Sequence, residues 1–173
     1  MKQKLREEFL LHRKKITPSR KKEGEALAFI KLKEMTIGYK HILSYSPLME
    51  EVSLNSFNKY LEEEGRLSFP KIEGESLAAY KVSDMESQLK TFSHRFLEPD
   101  SSCKKNEHIE LILVPGILFD KNGGRVGFGK GYYDKYLENK KIKTIGVLFK
   151  EQLYDGILPL EKHDIKMESL CIV

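Results

Sequence analysis

The chain contains no tryptophan and only two cysteines, Cys103 and Cys171. Two cysteines so far apart provide neither a disulfide framework nor a metal-ligand spacing, and they point to a reducing compartment. No apolar run approaches the roughly 20 residues needed to span a bilayer. The opening MKQKLREEFLLHRKK interrupts its apolar residues with charges, which excludes the core of a secretory signal. A cytoplasmic protein without membrane contact is expected. An excess of one charge is also lacking: 30 Lys and Arg stand against 26 Asp and Glu, for a net +4. That balance suits a small polyanion such as a nucleoside triphosphate as well as it suits RNA. Nucleic acid is disfavoured as a partner, because the basic residues are dispersed and no ribonucleoprotein-type aromatic motif appears. No repeat, low-complexity tract or linker divides the chain, so one domain over residues 1–173 is expected, long enough to bury roughly 70% of its unfolded surface.

What is present reads as strands alternating with helices. Leu5, Phe9 and Ile16 fall at loosely helical spacing between Lys2 and Lys15. Thr17 as N-cap and Pro18 as first helical residue predict a second helix running to about Met35. YKHILSYS (39–46) predicts a strand, SLNSFNKYLEEEG (53–65) a capped amphipathic helix stopped by Gly65, and RLSFP and LAAYKV (77–82) two further strands. Residues 83–108 are polar and irregular, with room for a short helix and an exposed loop. IELILVPG (109–116) is a continuous apolar run of strand length, as a parallel strand covered on both faces requires. YYDKYLENK (132–140) predicts a helix start and KTIGVLF (143–149) a buried strand. The order predicts an α/β fold, a three-layer α/β/α sandwich around a mostly parallel sheet.

One stretch carries chemistry: GGRVGFGKGYYDKYL, residues 123–137. It follows a buried strand and opens a helix, the place where open α/β sheets bind ligands. Glycines at 127, 129 and 131 turn successive backbone N–H groups toward one concavity and let a phosphate approach the main chain. Arg125 and Lys130 add full positive charge. The dinucleotide pattern fails because Tyr132 occupies the third glycine position. The Walker A pattern fits from Gly124 through Gly129 and Lys130, then fails at Gly131, where a hydroxyl should hold magnesium. A carboxylate elsewhere must then do so, and Asp134 lies one helical turn on. The competing reading is a glycine-rich connection whose cations are merely solvated. Lys2 and Arg6 share a helix face and could reach one anion, though spacing alone favours a solvated basic face. Glu51 is a candidate substrate-orienting carboxylate, Tyr132 and Tyr133 are candidates for stacking on a flat ring, and Asp164 is a candidate metal ligand in a late loop beside His163. A surface or core role is the alternative for each.

The run LVPGILFDKNGGRVGFGKGYYDKYL resembles the signature of the 5-formyltetrahydrofolate cyclo-ligases, also called 5,10-methenyltetrahydrofolate synthetases. KQKLR is similar to the family's N-terminal Lys-x-x-x-Arg, MEEV to its glutamate after the first strand, FLEP to its Glu-Pro, and KEQLYDGILPLEKHD to its C-terminal Gln-Leu, Pro and Asp. The resemblance implies an ATP-dependent closure of 5-formyltetrahydrofolate to 5,10-methenyltetrahydrofolate, with magnesium as cofactor and ATP as co-substrate. It implies nucleotide contacts from Lys2, Gln3, Lys4, Leu5 and Arg6 and from the loop Arg125, Val126, Gly127, Phe128, Gly129, Lys130, Gly131, Tyr132 and Tyr133. It further implies catalytic roles for Arg125 and Lys130, folate contacts from Ser46, Glu51 and residues 128–132, and magnesium ligation by Asp134 and Asp164. Phe128 stands where members often carry Arg or another polar or aromatic residue. The implied fold is the one shared with sugar-phosphate isomerases and CoA transferases, and a monomer is expected. Two other readings stay open: the same fold acting on another phosphorylated or folate-like substrate, and a non-catalytic nucleotide- or RNA-binding module.

Overall fold

Thr17 caps the second helix as its position suggests, its hydroxyl accepting from the Arg20 amide at 3.2 Å. The computed structural model describes residues 1–92 and 96–173. Helices α1 (Lys2–Lys14) and α2 (Pro18–Met35) lead into β1 (Ile42–Leu43), α3 (Asn55–Glu63) and the hairpin of β2 (Leu67–Glu73) and β3 (Ser76–Lys81). A short α4 (Met85–Gln88) precedes a second hairpin, β4 (Leu89–Phe92) and β5 (Phe96–Pro99), and then β6 (Lys104–Lys105). The chain continues through β7 (Leu111–Val114), β8 (Leu118–Asp120), β9 (Arg125–Val126) and α5 (Tyr132–Leu137). It finishes with β10 (Lys143–Leu148), β11 (Leu153–Tyr154) and β12 (Ser169–Ile172).

The main sheet has the order β12-β10-β7-β1-β2-β3-β6. Strands β12, β10, β7, β1 and β2 run parallel, while β3 runs against them and pairs antiparallel with both β2 and β6, so the sheet is mixed. Alternating side chains fill both faces, as a covered sheet demands. Ile42, Leu111, Leu113, Ile145 and Val147 pack with Ala28 and Leu32 of α2 and Phe57 and Leu61 of α3. Leu43, Ile112, Val114 and Leu148 pack on the other side with Tyr136 and Leu137 of α5 and with Met167. Three layers result. Outside them, α1 lays Leu5 and Phe9 against Ile117, Leu118 and Val126 of a small β11-β8-β9 sheet.

Several expectations need correction. The strand foreseen at 39–46 forms only at Ile42–Leu43: the Ser44 amide still reaches the Ser68 carbonyl, but the Tyr45 carbonyl is taken by Asn58 Nδ2 and the ladder ends there. Helix α3 has the expected extent but no side-chain cap, and Gly65 at φ 66° closes it. The helix foreseen at 132–140 stops at Leu137, where Glu138 leaves helical geometry and Asn139 adopts φ 59°. The illegible stretch 83–108 holds the expected short helix and, beyond expectation, the β4–β5 hairpin and β6.

Asp120 organises the turn that separates β8 from β9. Its carboxylate, 1% exposed, accepts from the amides of Asn122 at 2.9 Å, Gly124 at 2.8 Å and Leu158 at 2.9 Å. Stranding these donors costs about 3 kcal/mol, or roughly 6–12 °C in melting temperature for a chain of this size. Asp120→Ala should show that loss in a thermal melt. A change under ~2 °C would contradict it.

Candidate active site

The sheet reverses its direction of growth between β1 and β7: the chain builds from β1 to β2 on one side and from β7 through β10 to β12 on the other. The connections leaving β1 and β7 therefore part at the carboxyl ends and leave a crevice. A cavity of about 780 Å³ opens there.

The wall after β1 supplies Tyr45, Ser46, Leu48 and Glu51. Buried Asn58 fixes the exit of the strand, accepting from Ser44 Oγ at 2.5 Å and donating to the Tyr45 carbonyl at 3.1 Å. The Tyr45 hydroxyl, buried, donates to the Val52 carbonyl at 3.0 Å and fastens the far end of the same turn. Glu51 is 7% exposed, not the surface residue its composition suggests, and one carboxylate oxygen accepts from the Leu48 amide at 2.9 Å. Burial raises its pKa above the ordinary 4.5, against the opposing pull of that hydrogen bond and of Arg13. Ser46 Oγ accepts from the Leu97 amide at 3.3 Å.

From β7 the wall continues through Pro115 and Gly116. The glycine stretch does not follow this strand directly: the β8–β9 hairpin intervenes. Buried Gln152 donates to the carbonyls of Gly116 at 2.8 Å and Ile117 at 3.0 Å, and accepts from the Phe149 amide. That is the structural use of the Gln-Leu pair in KEQL.

Residues 127–131 then arch over the cavity. Gly129 at φ 95° and Gly131 at φ 65° adopt backbone that side-chain-bearing residues rarely tolerate. No carbonyl or side chain among the described residues accepts from the amides of Phe128, Gly129, Lys130 or Gly131. The ends of the arch are clamped. Arg125 Nη2 meets Asp134 Oδ2 at 2.8 Å with side chains 7% and 14% exposed, and Asp134 Oδ1 accepts from the Ile165 amide at 3.0 Å. Arg125 Nε is buried without a partner among the described residues. Helix α5 spans only six residues, so side-chain cations and bare amides supply the positive field here more than a helix dipole does.

Lys2 and Arg6 reach the cavity from α1. Arg6 Nε donates to the Gly127 carbonyl at 2.8 Å, and its Nη1 to Gln3 Oε1 at 2.5 Å. Lys2 Nζ lies 2.5 Å from Asp164 and 2.9 Å from Glu161. Burial opposes both charges, yet the pairing raises the Lys2 pKa and lowers that of Asp164. Lys130 is exposed at the rim, and no carboxylate among the described residues pairs with it. Glu161, His163 and Asp164 bring ligand atoms within 4.8 Å of one another.

The cavity thus gathers Lys2, Arg6, Ser46, Glu51, the whole stretch Arg125 to Asp134, and Asp164. Gln3, Lys4 and Leu5 are not among its lining residues. Leu5 points into the α1 core, Gln3 braces Arg6, and Lys4 is exposed. An apolar wall of Pro70, Ile72, Leu77 and Leu97 went unrecognised in the sequence, as did Glu98, 6% exposed in the same wall and accepting from the Ile72 amide at 2.9 Å. The Glu-Pro of FLEP was the available signal; the wall itself is assembled from two hairpins and has no local pattern.

Fold and cleft together define an α/β protein with a cation-rich ligand site at the strand ends. The profile described as the 5-formyltetrahydrofolate cyclo-ligase family matches residues 1–173, and the chain belongs to that family. It is similar to the 5-formyltetrahydrofolate cyclo-ligase of Mus musculus, 29% identical over 147 residues that cover 76% of this chain and 72% of the mouse protein. The solution structure of Aquifex aeolicus 5,10-methenyltetrahydrofolate synthetase superposes with a TM-score of 0.87 at 29% identity, covering 99% of this chain and 89% of that one. A 5,10-methenyltetrahydrofolate synthetase from Mycoplasma pneumoniae shares the fold, with a TM-score of 0.78 at 23% identity over 98% and 97% of the two chains.

The raised pKa of Glu51 has a thermodynamic consequence. The unfolded chain releases this proton near 4.5 and the folded chain later, so folding stability is lost as pH rises through that window. Glu51→Gln should therefore gain stability relative to the parent as pH rises from below 4.5, with the gain levelling off above the folded pKa. Paired thermal melts across pH check this; an advantage that shrinks with rising pH would contradict it.

Proposed function

We propose that this chain is an ATP-dependent 5-formyltetrahydrofolate cyclo-ligase, forming 5,10-methenyltetrahydrofolate, ADP and phosphate. The observation that carries the reading is the row of unengaged amides at residues 128–131 above a cavity lined by Lys2, Arg6, Arg125 and Lys130. Family membership supplies the substrate class, since the family is described by its action on 5-formyltetrahydrofolate.

An amide-like formyl oxygen is a poor leaving group, so ring closure needs activation. In the proposed sequence the N5-formyl oxygen attacks the γ-phosphorus and the bond to the ADP oxygen breaks. N10 then attacks the iminium-like formyl carbon, the carbon–oxygen bond breaks, and phosphate leaves with the electron pair as N10 gives up its proton. No protein nucleophile is required. The chain's contribution is positioning and charge. The amides of 128–131 and Lys130 cup the migrating phosphoryl group, and Arg125, with its unpartnered Nε, backs them from beneath. Lys2 and Arg6 turn to the phosphates, Gln3 supporting Arg6. Tyr132 and Tyr133 flank the reacting end, while Ser46, Glu51 and the apolar wall receive the folate.

Magnesium fits the donor set. Asp164, whose carboxylate already holds the Lys2 ammonium and lies within 4.8 Å of ligand atoms of Glu161 and His163, offers the oxygens a hard cation prefers, whereas both Asp134 oxygens already accept, from Arg125 and the Ile165 amide, so Asp134 would share one of them with the cation. Those two carboxylates would hold Mg²⁺. Bound there, it would neutralise charge on the phosphate oxygens. The remaining parts of the reading are a single domain over 1–173, kinship of the sandwich with the sugar-phosphate isomerase and CoA transferase fold, a monomer, and a reducing, cytoplasmic setting. Among the described residues no helix is long and apolar enough to cross a membrane.

Purified protein given 5-formyltetrahydrofolate, ATP and Mg²⁺ should develop the near-ultraviolet absorbance of the methenyl product in step with ADP release. ADP formed without folate dependence would sink the proposal. Lys130→Ala and Asp134→Ala should each lower turnover ~100-fold or more, because preorganised charge of this kind carries several kcal/mol. Near-parental rates in both would refute the assigned roles.

A further inference from the structure

The last turn of α1 carries an arginine unlike its neighbours. Lys14 and Lys15 are exposed, whereas Arg13 is 1% exposed. Its Nε donates to the Glu50 carbonyl at 2.9 Å, and both Nη groups are buried with no hydrogen-bond partner among the described residues. A guanidinium served so sparingly is expensive to bury and is a poor structural filler. Burial pulls its pKa down, opposed first by Glu51 and then by Glu50.

Three parts of the cavity converge on this side chain. Helix α1 carries Lys2 and Arg6 at its other end. The Glu50 carbonyl belongs to the turn that aims Glu51, whose own anchor is the Leu48 amide. Phe128, 52% exposed at the loop crown, lies over the guanidinium with its ring centroid 5.8 Å from Arg13 Cζ.

We propose that Arg13 is a positioning residue for the folate site: it pins the turn 48–51 from beneath and holds Glu51 toward the substrate, with Phe128 keeping water from the guanidinium. The role rests on the cyclo-ligase reading. Arg13 touches no substrate in it and acts through Glu51. The groups facing Glu51 are Arg13 from α1, Glu50 of the turn, Tyr45 after β1 and Tyr133 of α5, with Arg125 behind Tyr133. Arg13 is the cation in that set acting directly on Glu51, and Glu50 opposes it as a like charge.

The test uses the full chain as Arg13→Met and Arg13→Lys. Affinity for 5-formyltetrahydrofolate is read by calorimetry without nucleotide, and KM is read for each substrate. The Met variant should weaken folate binding and raise the folate KM by about tenfold, because a misaimed contact of this kind loses at least that much. Its ATP KM should stay within about twofold, and Lys should bind folate more tightly than Met. The acid limb of the folate KM profile should move to higher pH in the Met variant. Equal rises in both KM values, unchanged folate affinity, or Lys no better than Met would each overturn the role. Should the Met variant fail to fold, a double-mutant cycle decides: Arg13→Lys should alter folate affinity in the parent but not in a Glu51→Gln background, and equal losses in both would overturn it. A parent chain that neither binds nor converts 5-formyltetrahydrofolate overturns the functional reading itself, whereas a competent parent with indifferent Arg13 variants overturns this role alone.

Discussion

The ion pair between Arg125 and Asp134 closes the base of the glycine arch, and the geometry of the cavity depends on it. One partner opens the two-residue strand β9 and the other lies in the first turn of α5, so the pair ties together the two ends of the intervening loop. A loop held at both ends needs no internal hydrogen bonds to keep its shape, and its amides are left open. The second oxygen of Asp134, bonded to the Ile165 amide, carries the same constraint into the segment bearing Asp164. A largely buried pair gains strength from the low dielectric and would be costly to break by removing one partner.

Charge and shape are built by different parts of the chain. The cation-rich side of the cavity comes from sequence-local elements: one loop and one face of α1. The partly apolar side is dispersed over the turn after β1, the β2–β3 hairpin and β5. The two regions meet at the switch point of the sheet, where Ser46 and Glu51 stand opposite the glycine arch. Reaction between two substrates requires their alignment within ångströms, and the shared sheet provides a rigid common frame for both walls.

Legibility in the sequence followed the same division. The glycine loop could be placed at the cavity because glycine spacing and interleaved cations form a local pattern, and Thr17-Pro18 announced α2 by capping chemistry. Leu111–Val114 announced a buried strand by unbroken apolarity. The β1 strand was overestimated since the Tyr45 carbonyl is drawn off by Asn58, a partner thirteen positions away that no window reveals. Leu5 fell inside a matching motif, yet helical geometry turns it from Lys2 and Arg6 into the core. The partly apolar cavity wall was invisible because its residues meet only after two hairpins fold against one another.

Where the main sheet stops, each border is blunted in its own way. At one border β6 is two residues long and both are exposed lysines, so an incoming chain would meet like charges and almost no ladder. At the other, Lys31 donates to the Ile172 carbonyl at 2.6 Å and Arg20 to that of Val173 at 2.7 Å, occupying acceptors that an intruding strand would seek. A sheet finished in this manner resists edge-to-edge stacking, which favours the protein remaining dispersed when crowded.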